Sequence, residues 1–363
     1  MEREAAKYRT ICDQLKSEIL GGKYGGKNPF PSEVALSRRF NTGRSTVKRA
    51  LDELQHLGFV RSQQGRGTFV TSFGASRRIG LIVPGVAYLE FFPPIVSEIN
   101  RLAREAGYSL LFGEVYSSDE TTRLHQVREL AAEFVHRRVA GIIYQPIEGL
   151  PDSQNANDRI LSVFRKAKIP VVLLDSDIAP LPERSAYDVV GINDVEAGMR
   201  LATHLLAAGA RKIHYLIGRN SAAADANRYL GIQMAVDRSK TRPKPSCSLV
   251  IASPDDADAI RRVLRKGKPD AFICGNDCLA AILCRTLESL GRSVPRDILL
   301  AGFGDLQISR LMTPRLTSVH QSVYELARIA FSRLLERIGK PDLMPIDIFL
   351  PSPLVVRAST DRS

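Results

Sequence analysis

At 363 residues, with 44% hydrophobic and 25% charged residues, the chain has the make-up of a folded protein of two or three domains, which excludes a disordered or fibrous chain. Its formal charge of +12 is unevenly placed: residues 1–78 hold 15 Lys and Arg against 7 Asp and Glu, and the remainder 36 against 32. A basic head on a nearly neutral body points to a polyanion as partner of the head alone.

The amino-terminal stretch MEREAAKYRTICDQL is charged and lacks the apolar core of a secretory signal. No apolar run approaches the roughly 18 residues of a membrane span. The five cysteines are irregularly spaced and have no His or carboxylate pattern at metal-ligand spacing beside them, so they read as small thiols and not as a metal site. A cytoplasmic protein with no metal, no cofactor and no membrane partner is expected.

Tyr8, Ile11, Leu15 and Ile19 recur at helical spacing, which predicts an amphipathic helix over Lys7–Leu20, ending at Gly21-Gly22. Pro29-Phe30-Pro31 enforces an extended entry, and Ser32 opens a second short helix through Phe40. The stretch GRSTVKRALDELQHLG, residues 43–58, predicts a third. Its Val47, Ala50, Leu51, Leu54 and Leu57 form one apolar stripe, whereas Ser45, Lys48, Arg49 and Asp52 fall on the opposite face. Phe59–Ser62 and Thr68–Thr71 read as short strands, joined through Gly65-Arg66-Gly67 in a tight hairpin. Three helices and a hairpin with an arginine at its tip make a winged helix-turn-helix, whose third helix would lie in a DNA major groove.

The successive motifs YRTICDQLKSEILGGKY, PSEVALSRRF, GRSTVKRALDELQHLGFV and QGRGTFV resemble the GntR-type DNA-binding domain along its whole length. That resemblance implies that Arg44, Ser45, Thr46 and Lys48 face double-stranded DNA, and that Arg66 and Gly67 of the wing reach the minor groove or its phosphates. Thr42-Gly43 stands where the family usually has Val-Ser, and Val34 where a basic residue is common, so operator sequence is not carried over.

Residues 71–78 read as a polar linker. Beyond it, nine apolar runs alternate with helical segments: RIGLIVP, YSLLFGE, AGIIYQ, IPVVLLD, YDVVGIN, KIHYLIG, CSLVIAS, DAFICGN and ILLAGFG. Such runs indicate parallel strands covered on both faces, and the length suits two doubly wound sheets. The fold class expected is therefore α/β, with an amino-terminal winged helix-turn-helix over 1–71 and a two-lobed body over 79–363. Ligands of these sheets bind beyond the carboxyl ends of the strands.

HLLAAGARKIHYLIG, ANRYLGI, DAFICGNDCLAA, LGRSVPRDILLAGFGD and PRLTSVHQS resemble the effector domain of LacI-type repressors, which is similar to periplasmic sugar-binding proteins. By that resemblance one lobe covers roughly 79–187 with 322–350, and the other 188–321 with the last strand. It also implies effector contacts from Phe91 or Phe92, Asp175, Arg228 and Asn276, with Gln145 and Gln321 as further candidates. Phe would stack on a ring, Asp would accept from hydroxyls, Arg would donate in a rigid fork, and Asn would do both. Asp277 is expected to cap the following helix. In GFGD, Gly304 replaces an Asp that usually contacts ligand in the family, while Asp305 matches the second Asp.

A GntR-type head on a LacI-type body is similar to the arrangement of arabinose-utilisation repressors. It implies a homodimer on a palindromic operator, released by a small-molecule effector such as a sugar or sugar derivative. The alternative is a GntR-type head on a pyridoxal-phosphate-dependent aminotransferase-like body, against which the strand ends offer no Schiff-base lysine context. Hydrolase, metalloprotease and dinucleotide-binding motifs are also missing from the sequence.

Overall fold

The computed structural model describes residues 2–20, 23–24, 30–57, 59–63, 67–70, 78–84, 91–115, 119–148, 152–218 and 223–362. The head is built from α1 (Glu2–Leu20), α2 (Glu33–Arg39), α3 (Arg44–His56) and an antiparallel pair, β1 (Val60–Gln63) and β2 (Gly67–Val70). The first helix starts ahead of the predicted Lys7. Ile11, Leu15 and Ile19 of α1 pack on Leu36 of α2 and on Val47, Ala50, Leu51 and Leu54 of α3, as the stripe requires. Ser32 caps α2, its Oγ accepting from the Ala35 amide at 3.3 Å. Arg39 donates to Glu18 Oε2 at 2.8 Å and so ties α2 to α1.

The first lobe holds β3 (Arg78–Pro84), α4 (Phe92–Glu105), β4 (Ser109–Val115), α5 (Glu120–His136), β5 (Gly141–Tyr144), α6 (Ser153–Lys166), β6 (Val171–Asp175) and β7 (Asp188–Ile192). The chain then crosses into the second lobe. There it forms α7 (Asp194–Ala207), β8 (Lys212–Ile217), α8 (Ala223–Arg238), β9 (Ser246–Ile251), α9 (Ala257–Gly267) and β10 (Ala271–Cys274). The lobe is extended by α10 (Asp277–Ser289), β11 (Leu299–Gly304), α11 (Gln307–Leu311) and β12 (Thr317–His320). A second crossing delivers α12 (Val323–Gly339) and β13 (Asp347–Leu350) to the first lobe, and a third returns β14 (Leu354–Val355) to the second.

Strand order is β4-β3-β5-β6-β7-β13 in one sheet and β9-β8-β10-β11-β12-β14 in the other. Every pairing in them is parallel except β12 with β14. All nine apolar runs are strands, and both faces of each sheet are buried: Leu81, Ile143 and Val172 face α4 and α12, whereas Ile82, Ile142 and Leu173 face α5 and α6. The expected lobe boundary needs correction. The run YDVVGIN is β7, buried along its whole length between β6 and β13, so the first crossing follows Ile192 and not residue 187.

Two glycines set the geometry beneath the interlobe cleft. A Cβ at Gly198 of α7 would strike the carbonyl of Arg228, and one at Gly231 of α8 would strike that of Val195. Their absence lets α7 and α8 meet backbone to backbone, which brings Arg228 beside Asp194. Among the described residues no helix is long and apolar enough to cross a membrane.

Candidate functional site

Two regions gather the chemistry. The first is the outward side of α3. Arg44, Ser45 and Lys48 are exposed at its amino-terminal end, where the unpaired amides of the first turn add partial positive charge. Gly43 is the N-cap and offers no side-chain acceptor, which leaves those amides for a phosphate. Arg49 lies over the Tyr8 ring at 4.3 Å and is held against the head. Thr46 departs from the expectation: it is only 7% exposed, because it falls on the Val47 side of the helix and packs inward. Gly67 begins β2 with φ +98°, a conformation that favours glycine. Arg66, together with Gly65, Gly58 and the linker from 71 to 77, lies outside the described residues.

The second region is a cavity of about 260 Å³ between the lobes, at the carboxyl ends of the strands. Phe91, Phe92, Gln145, Asp175, Arg228, Asn276 and Gln321 all line it, and so does Gly304. Phe91 and Phe92 meet edge to face with centroids 5.1 Å apart, which gives one wall an aromatic platform. Gln145 follows β5, Asp175 ends β6, Asn276 follows β10, and Gln321 sits in the second crossing.

Arg228 is fixed on three sides. Its Nε donates to Asp194 Oδ1 at 2.7 Å, its Nη1 donates to the Gly275 carbonyl at 2.9 Å, and its guanidinium lies 4.5 Å from the Phe303 ring centroid. Asn276, and not Asp277, caps α10: its Oδ1 accepts from the Leu279 amide at 2.9 Å. The side-chain amide nitrogen of Asn276 remains as its donor toward the cavity. Asp277 is buried behind, accepting from Ser318 Oγ at 2.6 Å and the Leu306 amide at 2.8 Å. Asp305 also turns away from the cavity. It accepts from Arg310 and from His320 Nδ1, each at 3.0 Å, and from Arg357, bracing two of the interlobe crossings.

Four buried polar atoms facing this space have no hydrogen-bond partner: Gln145 Oε1, Asp175 Oδ1, Gln321 Nε2 and Arg123 Nε. Two are acceptors and two are donors. Gln145 and Gln321 are only 4% and 6% exposed, so their unmet bonds carry a real desolvation cost.

Several cavity residues were not foreseen: Arg123, Glu148 and Asp225, with Asp194 directly behind Arg228. Burial pushes the Glu148 carboxyl up to about 7, assisted by the negative charges of Asp175, Asp225 and Asp194 and opposed by a hydrogen bond from Ser176. Burial likewise raises Asp194 to about 6, against the pull of Arg228. Asp175 is raised by burial too, again opposed by Arg228. Asp225 accepts a short hydrogen bond from the Tyr215 hydroxyl. The cleft thus concentrates carboxylates around one anchored guanidinium.

Gly304 has φ +122°, and a Cβ there would lie 2.9 Å from Leu306 Cγ. The carboxylate absent at this position is therefore not a simple deletion. The backbone itself takes a course suited to glycine.

Residues 7–70 match the family of bacterial regulatory proteins of gntR type, and residues 202–360 match the periplasmic binding protein-like domain. The chain is 26% identical over 371 residues to the arabinose metabolism transcriptional repressor of Geobacillus stearothermophilus, covering 99% of each. It is 29% identical over 314 residues to the transcriptional repressor PurR of Haemophilus influenzae strain PittEE, covering 86% of this chain and 87% of that one. The fold is similar to that of a LacI family regulator from Enterococcus faecium with bound ribose, at TM-score 0.63 and 23% identity, covering 79% of this chain and 99% of the other. These matches give the aminotransferase-like body no support. The chain joins a GntR-type DNA-binding domain to a periplasmic-binding-protein-like effector domain, which is the make-up of a ligand-responsive transcriptional regulator.

Proposed function

We propose that residues 1–71 bind operator DNA and that residues 79–363 bind a sugar or sugar derivative whose uptake releases the operator, so that the protein represses a carbohydrate-related operon from within the cell. The observation that carries this reading is the set of four unpartnered buried polar atoms converging on one interlobe cavity beside two aromatic rings. Arg44, Ser45 and Lys48 read or grip the duplex, joined by Arg66 and Gly67 of the wing. Phe91 and Phe92 stack on the ring, Asp175 and Gln145 accept from hydroxyls, and Arg228, Asn276 and Gln321 donate. In this reading the protein binds and does not catalyse. The relatives' printed names, an arabinose metabolism repressor and a ribose operon repressor of Halalkalibacterium halodurans, favour a small neutral sugar.

A palindromic operator calls for a two-fold dimer. Two edge strands support the body as its interface: β4 exposes Phe112, and β9 exposes Leu249 and Ile251. Thermal-shift measurements with pentoses, hexoses, sugar acids and nucleosides test the ligand class, since a ligand bound only by the folded state raises its melting temperature. Failure of every sugar to do so, with a nucleoside succeeding, replaces the carbohydrate reading.

A further inference from the structure

The body's near-neutral total hides a charge separation. At the amino-terminal ends of the first-lobe strands lies a wide groove of about 1580 Å³, whose lining includes Arg78, Arg137, Arg138, Arg165, Lys168 and Arg337, with Asp342 its one carboxylate among the described residues. Part of this charge is structural. Arg137 pairs with Glu133 at 2.8 Å, and Arg337 pairs with the buried Asp188 at 2.7 Å. Cations after helix ends also answer the partial negative charge there. Arg165 and Lys168 go beyond that: both are exposed, and among the described residues neither has an ion-pair partner. Lys168 and Arg138 moreover occupy left-handed turns, at φ +56° and +50°, where glycine or asparagine is the unstrained choice.

The groove lies at the end of the lobe that receives the head. Arg78, on its rim, is the first residue of the body's first strand. Lys16 of α1 donates to the Glu105 carbonyl at 3.4 Å, just before Ser109, another rim residue. Helix α3 also packs near α12, whose Arg337 and Ile338 line the groove. The head and the basic groove thus share one end of the first lobe.

We infer that this basic groove of the effector body is a second DNA-contacting surface, which takes the phosphates flanking the operator, so that DNA binding is not the property of the head alone. The inference rests on the head binding duplex DNA. Phosphate contacts of this kind carry no base sequence and act through counterion release.

The test uses the full chain and two duplexes, one spanning only the operator selected by the protein from a random pool and one with flanks of about 15 base pairs added on each side; losing two contacts per protomer, four per dimer, should lower the log–log salt slope by about 3.6 and the affinity at least about tenfold. Arg165→Gln/Lys168→Gln should show that loss on the flanked duplex and match the parent on the short one. The charge-matched control, Arg265→Gln/Lys266→Gln on α9 of the other lobe, should match the parent on both. Equal loss in the two double variants would reduce the effect to net charge and overturn the inference, as would no loss in either. A parent that bound neither duplex would overturn the DNA-binding reading along with it.

Discussion

Arg228 Nε and Asp194 Oδ1 lie 2.7 Å apart, joining the first residue of α7 to the middle of α8 across the floor of the cleft. Both groups are buried, so the pair fixes the guanidinium before any ligand arrives. Arg228→Ala should lower ligand affinity by about 1.5–3 kcal/mol. It should also cost stability, on the order of 3–5 kcal/mol, because Asp194 is left buried and uncompensated. Calorimetry and denaturant unfolding on one preparation check both outcomes. Lost affinity with unchanged stability would mean that the pair does not hold the floor together.

Gln145 and Gln321 give the contrasting case. Their unpartnered atoms have no bond to lose in the empty protein. Gln145→Ala and Gln321→Ala should each weaken sugar binding by about 0.5–1.5 kcal/mol and leave the melting temperature of the free protein unchanged or higher. A fall in the free protein's melting temperature would show that these side chains are part of the packing.

The buried carboxyls set a pH dependence. Glu148 is pushed up to about 7 and Asp194 to about 6, chiefly by burial. Between the ordinary carboxylate range and these values, the folded protein holds protons that the unfolded chain has released. Their stabilisation is present in acid and lost as pH rises through the raised values. The melting temperature of the free protein should therefore fall between about pH 5 and about pH 8, and Glu148→Gln should flatten that fall. A slope unaltered in the variant would contradict the burial assigned to Glu148.

Gly304→Asp would restore the carboxylate common in the family, but at φ +122° and 2.9 Å from Leu306 it must strain the backbone. A destabilisation of about 1–3 kcal/mol is expected, with no simple gain in sugar affinity. Tighter binding at undiminished stability would show that the strand end accommodates a side chain there.

Much of this was legible in the sequence. The nine strands were, because each carries a near-continuous apolar run, buried on both faces in the inner strands and partly exposed in the edge strands β4 and β9, and so was the α3 stripe. β12, β13 and β14 were not among those runs: β12 has four residues, TSVH, only one of them aliphatic, β13 alternates exposed and half-buried residues at a sheet edge, and β14 has two residues. The seven expected effector residues line one cavity, whereas Thr46, which the family resemblance placed on the DNA side, is buried beside Val47. Glu148 and Asp194 each follow a strand end, so the strand-end rule could have found them. Asp225 sits three residues before Arg228 on α8, a neighbour on the same helix face. Nothing in the sequence gathered the body's basic residues at one end, because they follow separate helices and meet only in the fold.

On the reading face, Arg44→Ala should cost about 1–3 kcal/mol in operator affinity and relax base preference if Arg44 reads a guanine edge, while Lys48→Ala should weaken binding more evenly across sequences. Competition between the selected operator and singly altered duplexes separates the two. Identical patterns for both variants would redraw the face.

The proposed function makes occupancy of the interlobe cavity the control on DNA binding. Its most direct test is fluorescence anisotropy of the labelled operator bound to the full chain, titrated with the sugar that most raises the melting temperature. The parent should release the duplex at sugar concentrations that fill the cleft, and Gln145→Ala/Gln321→Ala should hold it until much higher concentrations. Release of both proteins at the same concentration, or a sugar that stabilises the body and leaves the duplex bound, would contradict the account.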